Sequence, residues 1–477
     1  MKKLFELYPN TASEAEIKDI KINSRDCGPG DLFVCTMGAT ADRHDFVRDA
    51  VEHGVSAIVA SRNIDEDAGS VPVVYVENTN EELPLVAQRL FDHPEKELTM
   101  TAITGTNGKT TVATMIADMI GMNECGTIGT TGIRCEAFDE PIVNSCPDAD
   151  RLYKYLRRFA DSGVKTVTME ATSEALVAGR LNKMAYDAVI FTNITRDHRN
   201  AHGTIENYVA AKLMLLDLVK PDGVVILNVD DEHYEEELAR AKNRVLTFGK
   251  SEDADLVIKE VKENADGICA IFSYKGCDTE VSCPLGGEYN AYNLAAAFLY
   301  LLDRGFDAEY LSGRAALIKP VPGRTEYLSF GQDFDVVLDY AHTPDALDKI
   351  CSYLRRIADE RGKRLLTLTG SAGGRDADKR GDMGKVVLSK SDQVVFTMDD
   401  PRNESVDDII DDLIGDWEKE NYVRIIDRKA AIELILDMAN EGDVVLIAGK
   451  GRDNYMAIGN EYVPYSDYDS IKEILEK

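Results

Sequence analysis

Short apolar runs bounded by glycine, proline or aspartate alternate along this chain with stretches of helical period. In the first block the runs at 17–22, 31–35, 57–60 and 71–76 read as strands, with a helix near 45–53. The segment Asp92-His93-Pro94-Glu95 interrupts a helical pattern, because proline disfavours helix in the residue before it, and sets a boundary near 97. An extended run at 98–103 then leads into a helical pattern at 112–120. Further strands fall at 166–169, 188–192 and 224–228, with a helix at 207–218. The rhythm breaks at Val321-Pro322-Gly323-Arg324 and resumes with strands at 335–338, 365–369, 393–397 and 444–448. Such alternation predicts an α/β protein whose parallel sheets are covered by helices, in three blocks at 1–97, 98–324 and 325–477. There is no internal repeat and no long disordered linker.

Composition narrows the class. With 477 residues, 44% apolar and 29% charged, the chain is of globular type and long for one core. No apolar run approaches the roughly 18 residues that span a bilayer. The start, Met1-Lys2-Lys3-Leu4-Phe5-Glu6-Leu7, is basic but carries no apolar export region, so the cytoplasm is the expected compartment. Nine cysteines without a C-x-x-C pair read as reduced thiols, the loose group Cys269, Cys277 and Cys283 included. A formal net charge of −31 argues against nucleic acid as a partner, since a polyanion is repelled. Small anionic substrates need only local cations.

Those cations appear between the run at 98–103 and the helix that follows it, in Thr104-Gly105-Thr106-Asn107-Gly108-Lys109-Thr110-Thr111. A glycine-rich turn from strand to helix aims backbone N–H groups and a helix N-terminus at an anion. Lys109 adds a full charge, and the Thr110 hydroxyl suits Mg²⁺. This is a nucleotide triphosphate cradle, although Ile103 stands where the general P-loop pattern has its first glycine. Glu170 ends one apolar strand and His198 follows another. Ligands bind beyond the carboxyl ends of parallel strands, so both side chains are expected near the γ-phosphate with Thr110.

The short cradle resembles that of the Mur ligase family, and other motifs extend the resemblance over essentially the whole chain. They are Ile22-Asn23-Ser24-Arg25, Asp197-His198, Tyr208-x-x-x-Lys212, Gly287-x-Tyr289-Asn290-x-x-Asn293, Pro322-Gly323-Arg324-Thr325-Glu326 and Asp339-Tyr340-Ala341-His342. In the last block Gly373-Gly374-Arg375-Asp376, Asp399-Asp400-Pro401-Arg402 and Ala448-Gly449-Lys450-Gly451 complete the set. The resemblance is to the branch of the family that adds the third peptide residue to a cell-wall precursor. It implies a UDP-substrate domain, a central P-loop parallel-sheet domain and a Rossmann-like C-terminal domain that binds an amino acid. It also implies a monomer that uses ATP and Mg²⁺ to join a diamino acid to UDP-N-acetylmuramoyl-L-alanyl-D-glutamate through an acyl phosphate.

Residue roles follow from the resemblance. Gly105 to Thr111 with Asn290, Asn293, Arg324, Asp339 and His342 would bind ATP. Lys109, Glu170, His198 and Lys212 would be catalytic, and Mg²⁺ would be held by Thr110, Glu170, His198 and a carbamylated Lys212. Ser24, Ser145, Cys146, Ser173 and Arg180 would line the UDP-acceptor arm. Arg375, Asp399, Asp400, Arg402, Gly449 and Asp453 would bind the amino acid. Arg402 favours a substrate carboxylate, as in meso-diaminopimelate, whereas Asp400, where that group has asparagine, suits the terminal ammonium of L-lysine.

The acceptor side departs from the family at Cys146, at Glu174 (histidine in the family) and at Arg199-Asn200. A different carboxylate acceptor is the function these departures admit, and a paralogue that binds nucleotide without catalysis is an alternative of another class.

Overall fold

The computed structural model describes residues 1–38, 41–142, 144–195, 202–264 and 266–476. The predicted His198, with Arg199 and Asn200, lies outside them.

Among the described residues an 11-stranded sheet organises the middle of the chain. Its central strand, Thr99–Thr104, lies parallel between Thr166–Glu170 and Tyr186–Phe191 and is buried almost throughout. Burial on both faces explains why these strands read as continuous apolar runs rather than as alternation. The register sets Glu170 beside Ile103 and Phe191 beside Thr104. The Glu170 side chain and the Thr192-Asn193 backbone therefore emerge on either side of the loop that follows Thr104. The parallel part is longer than the sequence rhythm indicates, and both of its edges turn antiparallel. Gly132–Cys135 and Phe138–Glu140 extend one edge, Gly267–Tyr274 and Cys277–Cys283 the other. The helix Lys109–Ile120 packs against Glu288–Asp303 on one face, with Val112, Met115, Ile116 and Met119 fully buried.

The first block holds a four-stranded parallel sheet of Asp19–Lys21, Asp31–Val34, Ala57–Ala60 and Val73–Tyr75. The run expected at 17–22 is two strands, because Glu16–Ile17 turns aside to pair antiparallel with Lys2–Lys3. One apolar core continues from this block into the central sheet, joining Leu32, Val59 and Val86 with Met100, Leu152 and Met169. The last block carries a six-stranded sheet, in the order Glu326–Leu328, Asp335–Asp339, Val444–Ala448, Leu365–Thr369, Gln393–Phe396 and Tyr422–Arg424. Only the first of these strands runs antiparallel. The helix expected at 207–218 is α-helical over Ile205–Leu213 and tightens to a 3₁₀ turn over Met214–Leu218.

Candidate active site in the cleft between two sheets

The loop after Thr104 is held largely by the neighbouring strand end. Thr106 N donates to Asn193 O (2.7 Å), and Asn107 N donates to Asn193 Oδ1 (3.0 Å). Thr192 Oγ1 donates to Asn107 O (2.6 Å), while Thr106 Oγ1 and Tyr208 OH lie 3.1 Å apart. Gly108 begins the helix at φ +89°, a conformation that side-chain-bearing residues rarely adopt. A Cβ there would also overlap Asn293 Oδ1. Asn293 in turn donates to Asn290 Oδ1 (3.0 Å), and Asn290 to Gly286 O (2.7 Å), so the two asparagines form one buried ladder behind the loop. Lys109 Nζ donates to the carbonyls of Gly105 (2.8 Å) and Thr106 (3.0 Å), curled over the loop.

Glu170 closes one side. Its Oε1 accepts from Thr110 Oγ1 (2.8 Å) and Thr130 N (2.6 Å), and its Oε2 from Thr130 Oγ1 (3.2 Å). Gly129 makes room for it, since a Cβ there would overlap Glu170 Oε1. Sequence reasoning missed Gly129 and Thr130. The signal was a Gly-Thr pair at the end of a strand adjacent to that of Glu170. Cys146 lies beneath, with its Sγ donating to Glu170 O (2.9 Å) and accepting from Thr172 N. Burial pushes its thiol up to about 11. Lys212 is fully buried, its Nζ donating to Gly105 O (2.8 Å) and lying 4.6 Å from the centre of the Tyr208 ring.

At the entry to the last block Arg324 lies over the Tyr340 ring, 4.6 Å from its centre. Asp339 accepts from Thr325 N (2.6 Å) and Ala341 N (2.7 Å), and burial raises its pKa. His342 Nδ1 donates to Tyr340 O (2.8 Å). The two sheets also touch across the cleft, where Asn107 Nδ2 donates to Asp345 Oδ2 (2.8 Å).

Beyond the carboxyl ends of the last sheet lies a cluster of acids. Asp399 is buried where a Cβ on Gly449 would overlap its carboxylate, and burial raises its pKa. The fully buried pair Arg428–Asp467 (2.7 Å) stands behind it. Lys450, 1% exposed, reaches Asp400 Oδ1 at 2.8 Å and lies 3.9 Å from both Asp399 and Asp453. Asp400 Oδ1 also accepts from Ala457 N (2.9 Å). The charge that the sequence offers to a substrate ammonium is thus engaged by Lys450. Burial pushes Asp453 up to about 6. Arg402, at φ +49°, donates to Gly373 O (2.9 Å).

A cavity of about 770 Å³ opens between the central and last sheets. It is lined by Thr106 to Thr111, Ser145, Glu170, Asn290, Asn293, Arg324, Asp339 and His342 on the nucleotide side. Arg375, Asp399, Asp400, Arg402, Gly449 and Asp453 line the other. The remaining expected residues stand outside this lining. Gly105, Cys146, Ser173 and Lys212 are buried, and so is Ser24 in the first block, at 5% exposure. Arg180 is tied to Asp148 (3.2 Å). Among the described residues no three His, Cys, Asp or Glu side chains converge as a metal-binding group. What the site offers a hard cation is the hydroxyl of Thr110 and the carboxylate of Glu170, oxygen donors of the kind Mg²⁺ takes.

Fold and cradle together define a P-loop α/β protein. Models of the Mur ligase catalytic, middle and glutamate ligase domains match residues 16–94, 103–301 and 323–451. The chain belongs to the Mur ligase family. It is 34% identical over 466 residues to the UDP-N-acetylmuramoyl-L-alanyl-D-glutamate–2,6-diaminopimelate ligase 2 of Clostridium acetobutylicum, covering 96% of this chain and 95% of the relative. The corresponding ligase of Aquifex aeolicus is 36% identical over 465 residues, covering 96% and 94%. A solved structure of a ligase of that name superposes with a TM-score of 0.68 at 27% identity, covering 100% of this chain and 99% of the other. The ADP complex of MurF ligase from Thermotoga maritima shares the fold, with a TM-score of 0.69 at 19% identity over 96% and 97% of the two chains.

Proposed function

We propose that this chain is an ATP-dependent ligase that adds meso-diaminopimelate to UDP-N-acetylmuramoyl-L-alanyl-D-glutamate in the cytoplasm, acting as a monomer. One observation carries the reading. The phosphate cradle and the cluster that would hold the amine line the same cavity, so an activated carboxylate and a nucleophile would meet in it. The names of the relatives supply the substrates, and Arg375 and Arg402 supply the two cations that a dicarboxylic amino acid needs. In domain terms, residues 1–97 would take the UDP end, 98–324 the ATP, and 325–477 the amino acid.

The acceptor carboxylate would attack the γ-phosphorus, breaking its bond to the departing ADP. The amine would then attack the acyl carbon, and inorganic phosphate would leave as the amide forms. The protein's part is placement and charge. Lys109 would neutralise the phosphates, the Asn193 contacts would keep the loop N–H groups aimed, and Arg324 and His342 would meet the nucleotide from the far side of the cleft. Thr110 and Glu170, with His198 and a carbamylated Lys212, would hold Mg²⁺, which when bound offsets the negative charge of the transferring group. A buried Lys212 beside the P-loop suits that modification better than a solvated one does, because its carbamate would stay shielded from water.

L-Lysine is the second reading, favoured by the acids in the cluster, Asp453 above all, which outnumber Lys450. Phosphate release from ATP, with the dipeptide acceptor and each amino acid offered separately, tests both. Release that depends on acceptor and on meso-diaminopimelate is expected, and no release with either amino acid would sink the ligase reading. Lys212→Ala is expected to abolish release. Activity that survives it, with or without bicarbonate, would remove the carbamate.

A further inference from the structure

Lys450 sits behind the amino-acid end of the cavity rather than in its lining, and its position resolves the conflict between Asp400 and Arg402. It is 1% exposed, so its ammonium has no access to solvent and depends on the carboxylates around it. It lies 2.8 Å from Asp400, against 3.9 Å from Asp399 and Asp453. The Ala457 N–H fills a second acceptor position on the same Asp400 oxygen. Tyr455, whose ring centre is 5.0 Å from Lys450 Nζ, closes the remaining side. Asp399 has a cation of its own to face, since Arg428 stands behind it as part of the pair with Asp467.

We propose that Lys450 is a specificity-determining residue of this pocket. By holding Asp400 in a buried ion pair it withholds that carboxylate from an incoming ammonium, and leaves Arg402 and Arg375 to select a substrate carboxylate. The proposal rests on the ligase reading above. It locates the choice of amino acid in a residue behind the pocket wall, and it makes the Asp400 charge an internal counterion.

The test is a competition between L-lysine and meso-diaminopimelate at equal concentration with the full-length enzyme, reading the ratio of kcat/KM from the two products. Lys450→Met frees the Asp400 carboxylate and is expected to move the ratio about tenfold towards L-lysine, the factor that 1.4 kcal/mol of contact produces. Asp400→Asn leaves Lys450 in excess and moves the ratio the other way. The double variant returns near the wild-type ratio, and Lys450→Arg keeps it. Equal losses for both amino acids in Lys450→Met would overturn the proposal. So would a double variant that behaves as Asp400→Asn alone, because Asp400 would then touch the substrate itself. Should Lys450→Met fail to fold, Lys450→Arg and the double variant decide on the same criterion. A wild-type enzyme that turns over neither amino acid overturns the ligase reading and this proposal with it, whereas unchanged ratios in active variants overturn the proposal alone.

Discussion

Single side chains in this protein are placed by what surrounds them more than by their own sequence neighbours. Glu237 is the plainest case. It is fully buried, neither carboxylate oxygen has a hydrogen-bond partner among the described residues, and burial pushes it up to about 8 from an ordinary 4.5, with Asp231 adding to the rise and Lys212 opposing it. The folded state therefore holds this proton more tightly than the unfolded chain does. Its contribution to stability is intact below about pH 4.5 and is lost as the pH rises through 8. Glu237→Gln keeps the shape without the charge. The variant is expected to match the parent at pH 5 and to exceed it by on the order of 2 kcal/mol at pH 9, read from thermal or urea unfolding at both values. A variant equally stable or weaker at pH 9 would show that Glu237 is solvated. Glu170 presents the opposite situation, since each of its oxygens accepts a hydrogen bond and the strand end before it delivers the carboxylate to Thr110.

At the scale of elements, the end of a strand decides what its neighbour can do. Cys125–Gly129 runs parallel to Thr166–Glu170, and its last residue lacks the Cβ that would collide with the Glu170 carboxylate. Gly129→Ala is expected to displace Glu170 and to lower kcat by roughly a hundredfold, the size of effect that loss of one well-placed charge-stabilising group has on a transferring centre. Binding of ATP should change little, because the loop itself is held by Thr192 and Asn193. Steady-state phosphate release together with nucleotide titration separates the two. Most of these strands were legible beforehand, since doubly buried strands are short continuous apolar runs. The antiparallel edges were not. Cys277–Cys283 exposes Asp278, Glu280 and Ser282, and its pairing with Gly267–Tyr274 is set by a turn rather than by hydrophobic rhythm.

For the whole molecule, the relation between the central and last sheets matters most. Asn107 of the cradle donates to Asp345, which also accepts from Lys349 (2.8 Å), so one carboxylate ties the nucleotide loop to the first turn of a helix in the last block. Within the last block, Arg452 donates to Glu326 at its entry (2.8 Å). Asp345→Ala removes a charge-assisted hydrogen bond worth about 1.5–3 kcal/mol. The variant is expected to open the cleft, giving a larger radius of gyration in solution scattering and faster proteolysis near residues 321–324. An unchanged radius would mean that the contact between the sheets does not depend on this pair.

Residues 104–111, the strands flanking them and the family to which they belong could be read in one dimension, because a strand, a glycine turn and a helix start are local and their chemistry travels with them. Glu170 was legible for the same reason, standing at the end of an apolar run. Arg375, Arg402 and Asp453 were also visible as residues, but their charge balance was not. Whether Asp400 faces a substrate or a lysine depends on a contact between positions 50 residues apart, made where two strand ends of the last sheet converge. Sequence carries the identity of each charge, and only the tertiary structure decides which charges neutralise one another, because Coulomb pairing in a buried cluster depends on distance and burial, which close only on folding.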